Sequence, residues 1–508
     1  MLDHLIVLPV VLPLISGILL LISRHGSTFA KRLLGVGSTV LLLLVAIALL
    51  GQAAGGEVAY YALGDWQPPF GIVMVLDRLS ALMILLTAVL ALGCVVFASA
   101  GDDEQGSNFH GLFQLQLMGI NGAFLTGDLF NLFVFFEVLL LASYALLMHG
   151  GGKARIQAGL HYVVLNLAGS ALFLIAVGVL YGATGTLNMT HMSVRLAELE
   201  SERSGLVSAG ALLLLVVFGL KAAILPLYFW LPRAYASAPA PVAALFAIMT
   251  KVGIYAILRV YSLIFGDQAG PLMALEQPWV WWLALGTLAV SAVGVLAARD
   301  LRLLVAYLVL VSVGTLLAGI GMGTPEATSA LLFYLIHTTL VTGGLFLLAE
   351  LIGLQRGKAG TRLVKGRPLR NGGLLAILFL VGAAAVAGLP PLSGGIGKAF
   401  LMVAATPAQQ PWLWPLLLIA GFCSLVALSR AGSTLFWRSH EGEPSDLPLG
   451  RRQLFGVTWL LGASPLLVLL AGPVSDYTQA TAEQLSSPAP QIRALLPDHA
   501  AHANGGDA

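Results

Sequence analysis

Apolar runs long enough to cross a bilayer recur along the whole chain, separated by short polar loops. A membrane-spanning helix needs about 20 mostly apolar residues. On that measure the pattern predicts about fourteen, over 5–22, 33–50, 75–98, 109–126, 129–148, 161–181 and 206–231 in the first half. The second half gives 241–265, 279–298, 301–320, 328–349, 374–406, 411–436 and 454–472. Two spans carry interruptions. Pro226 and Pro232 fall in the seventh; the twelfth, too long for one straight helix, contains Gly388-Leu-Pro-Pro-Leu-Ser-Gly-Gly395. An internal proline removes a backbone donor and clashes one turn back, so both spans read as broken. Unpaired backbone survives at membrane depth only inside protein or beside a wet cavity.

The broken spans are five apart, which suggests two five-helix repeats, the fourth to eighth and the ninth to thirteenth spans. Five is odd, so the repeats are inverted relative to each other. The expected fold class is an all-α polytopic membrane protein. Its expected divisions are a three-helix segment over 1–100, the repeats over 101–270 and 271–438, and a last helix with a polar tail over 439–508. The tail from Gly472 reads as flexible.

Loop charge sets orientation. Odd-numbered loops carry Arg24, Lys31 and Arg32, then Lys153 and Arg155, then Arg299 and Arg302, then six basic residues between Arg356 and Arg370, then Arg438, Arg451 and Arg452. Even-numbered loops are acidic apart from Arg195 and Arg203. Odd loops are therefore expected in the cytoplasm and both termini outside; Asp102-Asp-Glu104 lies on the basic side against the trend. The N-terminus lacks a basic n-region and reads as a retained first helix.

Composition narrows the class without changing it. The 508 residues are 58% hydrophobic and 10% charged, with a net charge of +2. So little net charge argues against nucleic-acid binding. Cys94 and Cys423 lie in separate apolar runs and support neither a disulfide framework nor a metal cluster. No phosphate loop, nucleophile elbow or haem ligand pair is present. No cofactor or metal is expected, and the chain does not read as an enzyme.

The chemistry lies in charges inside apolar runs. Glu137, Lys221, Lys251, His337 and Lys398 sit mid-span on five different helices. An ionisable group near the bilayer centre costs about 2.5–3.5 kcal/mol on insertion scales, so it is rarely decorative. Burial pushes a lysine towards its neutral form and a nearby carboxylate restores the charge, which makes such a set a proton relay. His337 also has a plain reading, as a neutral partner of Tyr334 or Thr338. Tyr228, Tyr255, Ser312 and Thr338 could hold bridging waters. Arg259 reads as structural or tuning, Asp77, Arg78 and Arg430 as interfacial, and Asp128 as a helix N-cap.

Leu220-Lys-Ala-Ala-Ile-Leu-Pro-Leu-Tyr-Phe-Trp-Leu-Pro232, Ala238-Pro-Ala-Pro-Val242, Thr250-Lys-Val-Gly-Ile-Tyr255 and Gly388-Leu-Pro-Pro-Leu-Ser-Gly394 carry a resemblance over nearly the whole chain. They resemble the antiporter-like membrane subunits shared by Mrp (Pha) cation/proton antiporters and respiratory complex I, with Tyr228 favouring the Mrp side. The resemblance implies that Glu137 and Lys221 form a buried ion pair, Lys251 is the central relay residue and Lys398 the exit residue of the second half-channel. It also implies exchange of sodium or another monovalent cation for protons across a bacterial inner membrane. The work would be done within a hetero-oligomeric complex with other Mrp (Pha) subunits. The alternative is a proton-pumping subunit of a redox-driven complex.

Overall fold

The computed structural model describes residues 3–23, 26–198, 203–438, 443–444 and 447–497. Arg24 and the extreme C-terminus lie outside them. The chain opens with α1 (Leu8–Ile22), α2 (Thr28–Ala53) and α3 (Arg78–Ala98). The first repeat follows as α4 (Phe109–Leu125), α5 (Leu129–Leu147), α6 (Lys153–Thr184), the short α7 (Met189–Ala197), α8 (Ser204–Ala222) continued by α9 (Trp230–Ser237), and α10 (Ala240–Ile264). The second comprises α11 (Gln277–Ala297), α12 (Leu301–Met322), α13 (Pro325–Gln355), α14 (Gly372–Ala387) continued by α15 (Ser393–Ala404), and α16 (Gln410–Gly432). The chain ends with α17 (Arg451–Leu461), α18 (Ala463–Leu469), α19 (Ala471–Leu485) and α20 (Ala489–Leu495).

Among the described residues, eleven helical segments are long and apolar enough to cross a membrane. With α1, α4 and the α14–α15 pair the crossings number fourteen, as the hydrophobic pattern predicts. α4 carries Gln114 and Asn121 within its span, both buried. Their amide N–H groups donate to the Gly35 carbonyl at 3.0 Å and the Pro9 carbonyl at 2.9 Å, so these donors are satisfied inside the bundle. The most apolar stretches of α10 and α13 are completely buried, whereas those of α2, α6 and α16 are mostly open. α10 and α13 therefore form the axis of the molecule, and they carry Lys251 and His337.

Both breaks occur where proline and glycine place them. α8 ends with Ala223 in the left-handed region, a 3-10 turn spans Leu227–Phe229, and α9 resumes at Trp230. Pro232 does not interrupt the helix, contrary to expectation. It sits in the first turn of α9, where its missing N–H has no intrahelical acceptor to lose. α14 ends at Gly388, also left-handed, and α15 starts at Ser393.

Three features depart from the sequence reading. Val75 and Leu76, expected to open the third span, belong instead to β2 (Val73–Leu76), which pairs antiparallel with β1 (Ala59–Ala62) in a hairpin. Asp77, at the span end as expected, is not solvent-facing: it is buried, caps α3 through Ser80, and binds Arg259 of α10 in a bidentate pair at 2.5 and 2.8 Å. The segment from Gly472 is not a loose tail as far as Pro497. α19 buries Thr478, Thr481, Ala482 and Leu485 on one face against α13, an amphipathic pattern that its polar average conceals.

Candidate functional site: a buried polar row

The row starts on α5. Glu137 is half-buried, and its carboxylate accepts from the Ser170 hydroxyl of α6. One turn earlier on α6, Asn166 is buried and its Oδ1 accepts from Lys221 Nζ at 3.1 Å. Ser170 Oγ also donates to the Asn166 carbonyl at 3.0 Å, and Lys221 Nζ lies 5.9 Å from the Phe136 ring centroid. Among the described residues, the ion pairs do not include Glu137 with Lys221. The expected contact is replaced by an indirect link through α6, from the Ser170 hydroxyl to the backbone carbonyl and side chain of Asn166.

Lys221 occupies the last turn of α8, and α10 packs directly on that turn. A Cβ at Gly253 would fall 2.5 Å from Ala222 N, so only glycine permits this approach two residues beyond Lys251. Lys251 is fully buried and donates to Ser312 Oγ of α12 at 3.2 Å. The entry to α10 is clamped: Arg155 Nε donates to the Ser237 carbonyl at 3.2 Å, and Arg302 donates to the Ala238 carbonyl. Tyr255 OH donates to the Phe124 carbonyl at 2.7 Å and accepts from Arg259 Nε at 3.1 Å, so Arg259 is held by Asp77 and Tyr255 away from Lys251.

Across α12, Tyr334 reaches the hydroxyls of Thr315 and Thr338 and stacks obliquely on His337, with ring centroids 5.7 Å apart. His337 Nδ1 is 2.7 Å from Ser393 Oγ, which is 2.8 Å from Ser464 Oγ of α18. The glycines of the second break make this possible, since a Cβ at Gly394 would fall 2.7 Å from His337 Nε2 and one at Gly388 would fall 2.8 Å from Lys398 Cδ. Lys398 Nζ donates to the Val386 and Ala387 carbonyls at 3.1 and 2.9 Å, the orphan acceptors at the end of α14. The five predicted residues thus lie on helices that pack one against the next between the two breaks. Asn166, Ser170 and Ser393 join them there and carry no charge that would single them out in the sequence.

The acidic loop between α3 and α4 is neutralised locally. Burial pushes Asp103 upward, but hydrogen bonds from Arg32 at 2.7 Å and His110 at 3.0 Å outweigh it and hold the carboxyl down at about 2. Asp102 accepts from the neutral Gln105 amide at 3.1 Å, and burial, with Glu350 adding to it, pushes its carboxyl up to about 7. Asp128 caps α5 by accepting from Asn131 N at 2.8 Å, the role its position suggests.

A fourteen-crossing bundle with two broken helices and lysines at both breaks is the architecture of an antiporter-like membrane subunit. Residues 126–424 match the family "NADH:quinone oxidoreductase/Mrp antiporter, TM", and the chain belongs to that family. Within it, the chain is 43% identical to the D-type subunit of a probable K(+)/H(+) antiporter from Rhizobium meliloti, over 96% of each protein. It is 36% identical to the D-type subunit of a Na(+)/H(+) antiporter from Bacillus subtilis, over 97% of this chain and 99% of that one. The fold matches a chain of the Mrp complex from a Dietzia species with a TM-score of 0.86 and 27% identity, covering 98% of this chain and 100% of that one.

Proposed function

We propose that this chain is the D-type component of a multisubunit monovalent cation/proton antiporter, and that the row from Glu137 to Lys398 carries its protons. The carrying observation is that Lys221, Lys251, His337 and Lys398 are buried at the helix breaks and the bundle axis, each hydrogen-bonded or ring-packed to a neighbouring polar group. Near-full-length similarity to D-type antiporter subunits favours cation exchange over a redox-driven pump, which shares the fold. The protein works in a hetero-oligomer with other Mrp (Pha) subunits in a bacterial inner membrane. Its repeats span about 101–270 and 271–438, with the described residues of 1–100 and 439–508 packed around them.

Protons enter Lys221 when Glu137, reached through Ser170 and Asn166, stabilises the ammonium. Neutralising Glu137 releases the proton towards Lys251, across the contact at Gly253. Ser312, Tyr334 and His337 extend the path to Lys398. Lys251→Ala should abolish cation-induced dequenching of a pH-sensitive dye in everted vesicles while the complex stays assembled. Normal dequenching at normal protein levels defeats the relay. By the distribution of loop charge, the Arg356–Arg370 loop faces the cytoplasm and α19 the outside. A membrane-impermeant maleimide should then label Glu483→Cys but not Lys358→Cys in cells with a permeabilised outer barrier, and the reverse labelling inverts this topology.

A further inference from the structure

Where α10 and α12 end and α11 and α13 begin, the structure holds a cavity of about 380 Å³ that is roofed by α19. Its lining includes the carboxylates of Glu276 and Asp267 and the hydroxyls of Ser262, Thr324, Thr328 and Ser486; among the described residues it includes no lysine, arginine or histidine. Asp267 stands at the rim. Glu276 is 6% exposed, and its Oε2 has no hydrogen-bond partner among the described residues. The guanidinium of Arg259 lines the small neighbouring cavity and is already neutralised by Asp77. A buried carboxylate oxygen with neither donor nor cation is strongly unfavourable, and a cation is what the lining lacks.

We infer that this cavity is a binding site for a hard monovalent cation, sodium or potassium, with Glu276 as its charged ligand and Asp267 as the rim charge that draws the ion in. The oxygen-rich lining suits an ion that exchanges hydration for hydroxyl, carbonyl and carboxylate oxygens. Its position suits the transport reaction. Leu258 lines the cavity from α10 and shares a helix face with Lys251, seven residues and about 10 Å further along the axis. A cation at Glu276 therefore sits over the central lysine, at the end that loop charge assigns to the outside. This rests on the antiport reading for its meaning, but cation binding can be measured without transport.

The test uses the complete complex in lipid nanodiscs, with radiolabelled sodium or rubidium (as a potassium tracer) in choline buffer. Wild type should show saturable binding displaced by unlabelled sodium or potassium, the stronger competitor naming the preferred ion. Glu276→Gln should weaken that component at least about tenfold, the size expected for losing a charged ligand. Glu276→Asp should restore part of it and Asp267→Asn should weaken it less. In exchange assays, Glu276→Gln should raise the cation concentration for half-maximal rate and recover the wild-type maximum at saturating cation. Lys251→Ala should keep the binding and lose exchange, and if its exchange persists the relay fails while the cation site stands. Unchanged cation binding in Glu276→Gln, with a maximum rate lowered at every cation concentration, would make Glu276 a proton-carrying group and overturn the cation site. Absence of saturable binding in wild type would overturn it as well.

Discussion

The two helix breaks put a lysine in the same electrostatic place by different means. At the first, Lys221 belongs to the half-helix that ends, α8, and its ammonium is held by an asparagine side chain with a carboxylate one bridge away. At the second, Lys398 belongs to the half-helix that begins, α15, and reaches back to the carbonyls ending α14. Both ammoniums thus lie at the C-terminal end of the first half-helix, where the backbone dipole favours positive charge. The difference is in what can change. Glu137 can gain or lose a proton and so alter the charge beside Lys221, whereas the carbonyls at Lys398 cannot. In the proposed relay the first break responds to the charge beside Lys221, and the second to movement of α14 against α15 or to a change at His337.

The largest effect expected from this contrast is on the two repeats' carboxylates. Glu137→Gln should reduce exchange by about tenfold or more, since a shift of about 1.36 kcal/mol is already a decade in rate. Glu326→Gln, an exposed acid of the second repeat, should stay within about twofold. Comparable losses in both variants would erase the asymmetry. A smaller loss, and a sharper one, is expected at the uncharged bridge. Asn166→Leu removes the acceptor of a charged hydrogen bond, worth about 1.5–3 kcal/mol to the bound ammonium; only the part that changes on the way to the transition state reaches the rate, so exchange should slow several-fold with a shifted pH profile. Ser393→Ala removes a neutral bond, worth about 0.5–1.5 kcal/mol, and should slow exchange less without moving the profile. A pH shift in the serine variant and none in the asparagine variant would reverse the roles of the breaks.

The smallest effect is a control outside both breaks. Asp102, with its carboxyl at about 7 in the fold against about 3.9 when unfolded, keeps a proton that the unfolded chain releases. Its penalty on the folded state therefore grows as pH rises from about 4 to 7 and is constant above. Asp102→Asn should raise the thermal midpoint of the complex above about pH 7 and leave it unchanged below about pH 4. Exchange at the breaks should keep its wild-type pH profile; a displaced profile would tie this loop to the relay.

The breaks and their lysines were legible in the sequence because each violates a strong local rule: proline and glycine inside a span, or charge inside an apolar run. Asn166, Ser170 and Ser393 break no rule, since uncharged polar residues in a spanning helix cost little and can bond to their own backbone. The Asp77–Arg259 pair joins positions 182 residues apart, and no local pattern announces such a partner. α19 escaped because only one of its faces is apolar, and an average over the segment hides a face. The acidic loop opposes the charge rule less once its partners are counted, since Arg32 pairs with both Asp103 and Glu104.

Arg78, at the start of α3, donates to the Ala480 carbonyl; its own carbonyl accepts from Tyr477 OH, and its backbone N–H donates to Gln484. These partners are about 400 residues later in the chain. At typical synthesis rates of about 5–20 residues per second, the third helix waits roughly 20–80 s between leaving the ribosome and meeting them. Until then the polar groups at its entrance wait for their partners. The last helices are therefore a closing act of biogenesis, and a nascent chain cut short before residue 477 would be inserted, spanning and unsealed.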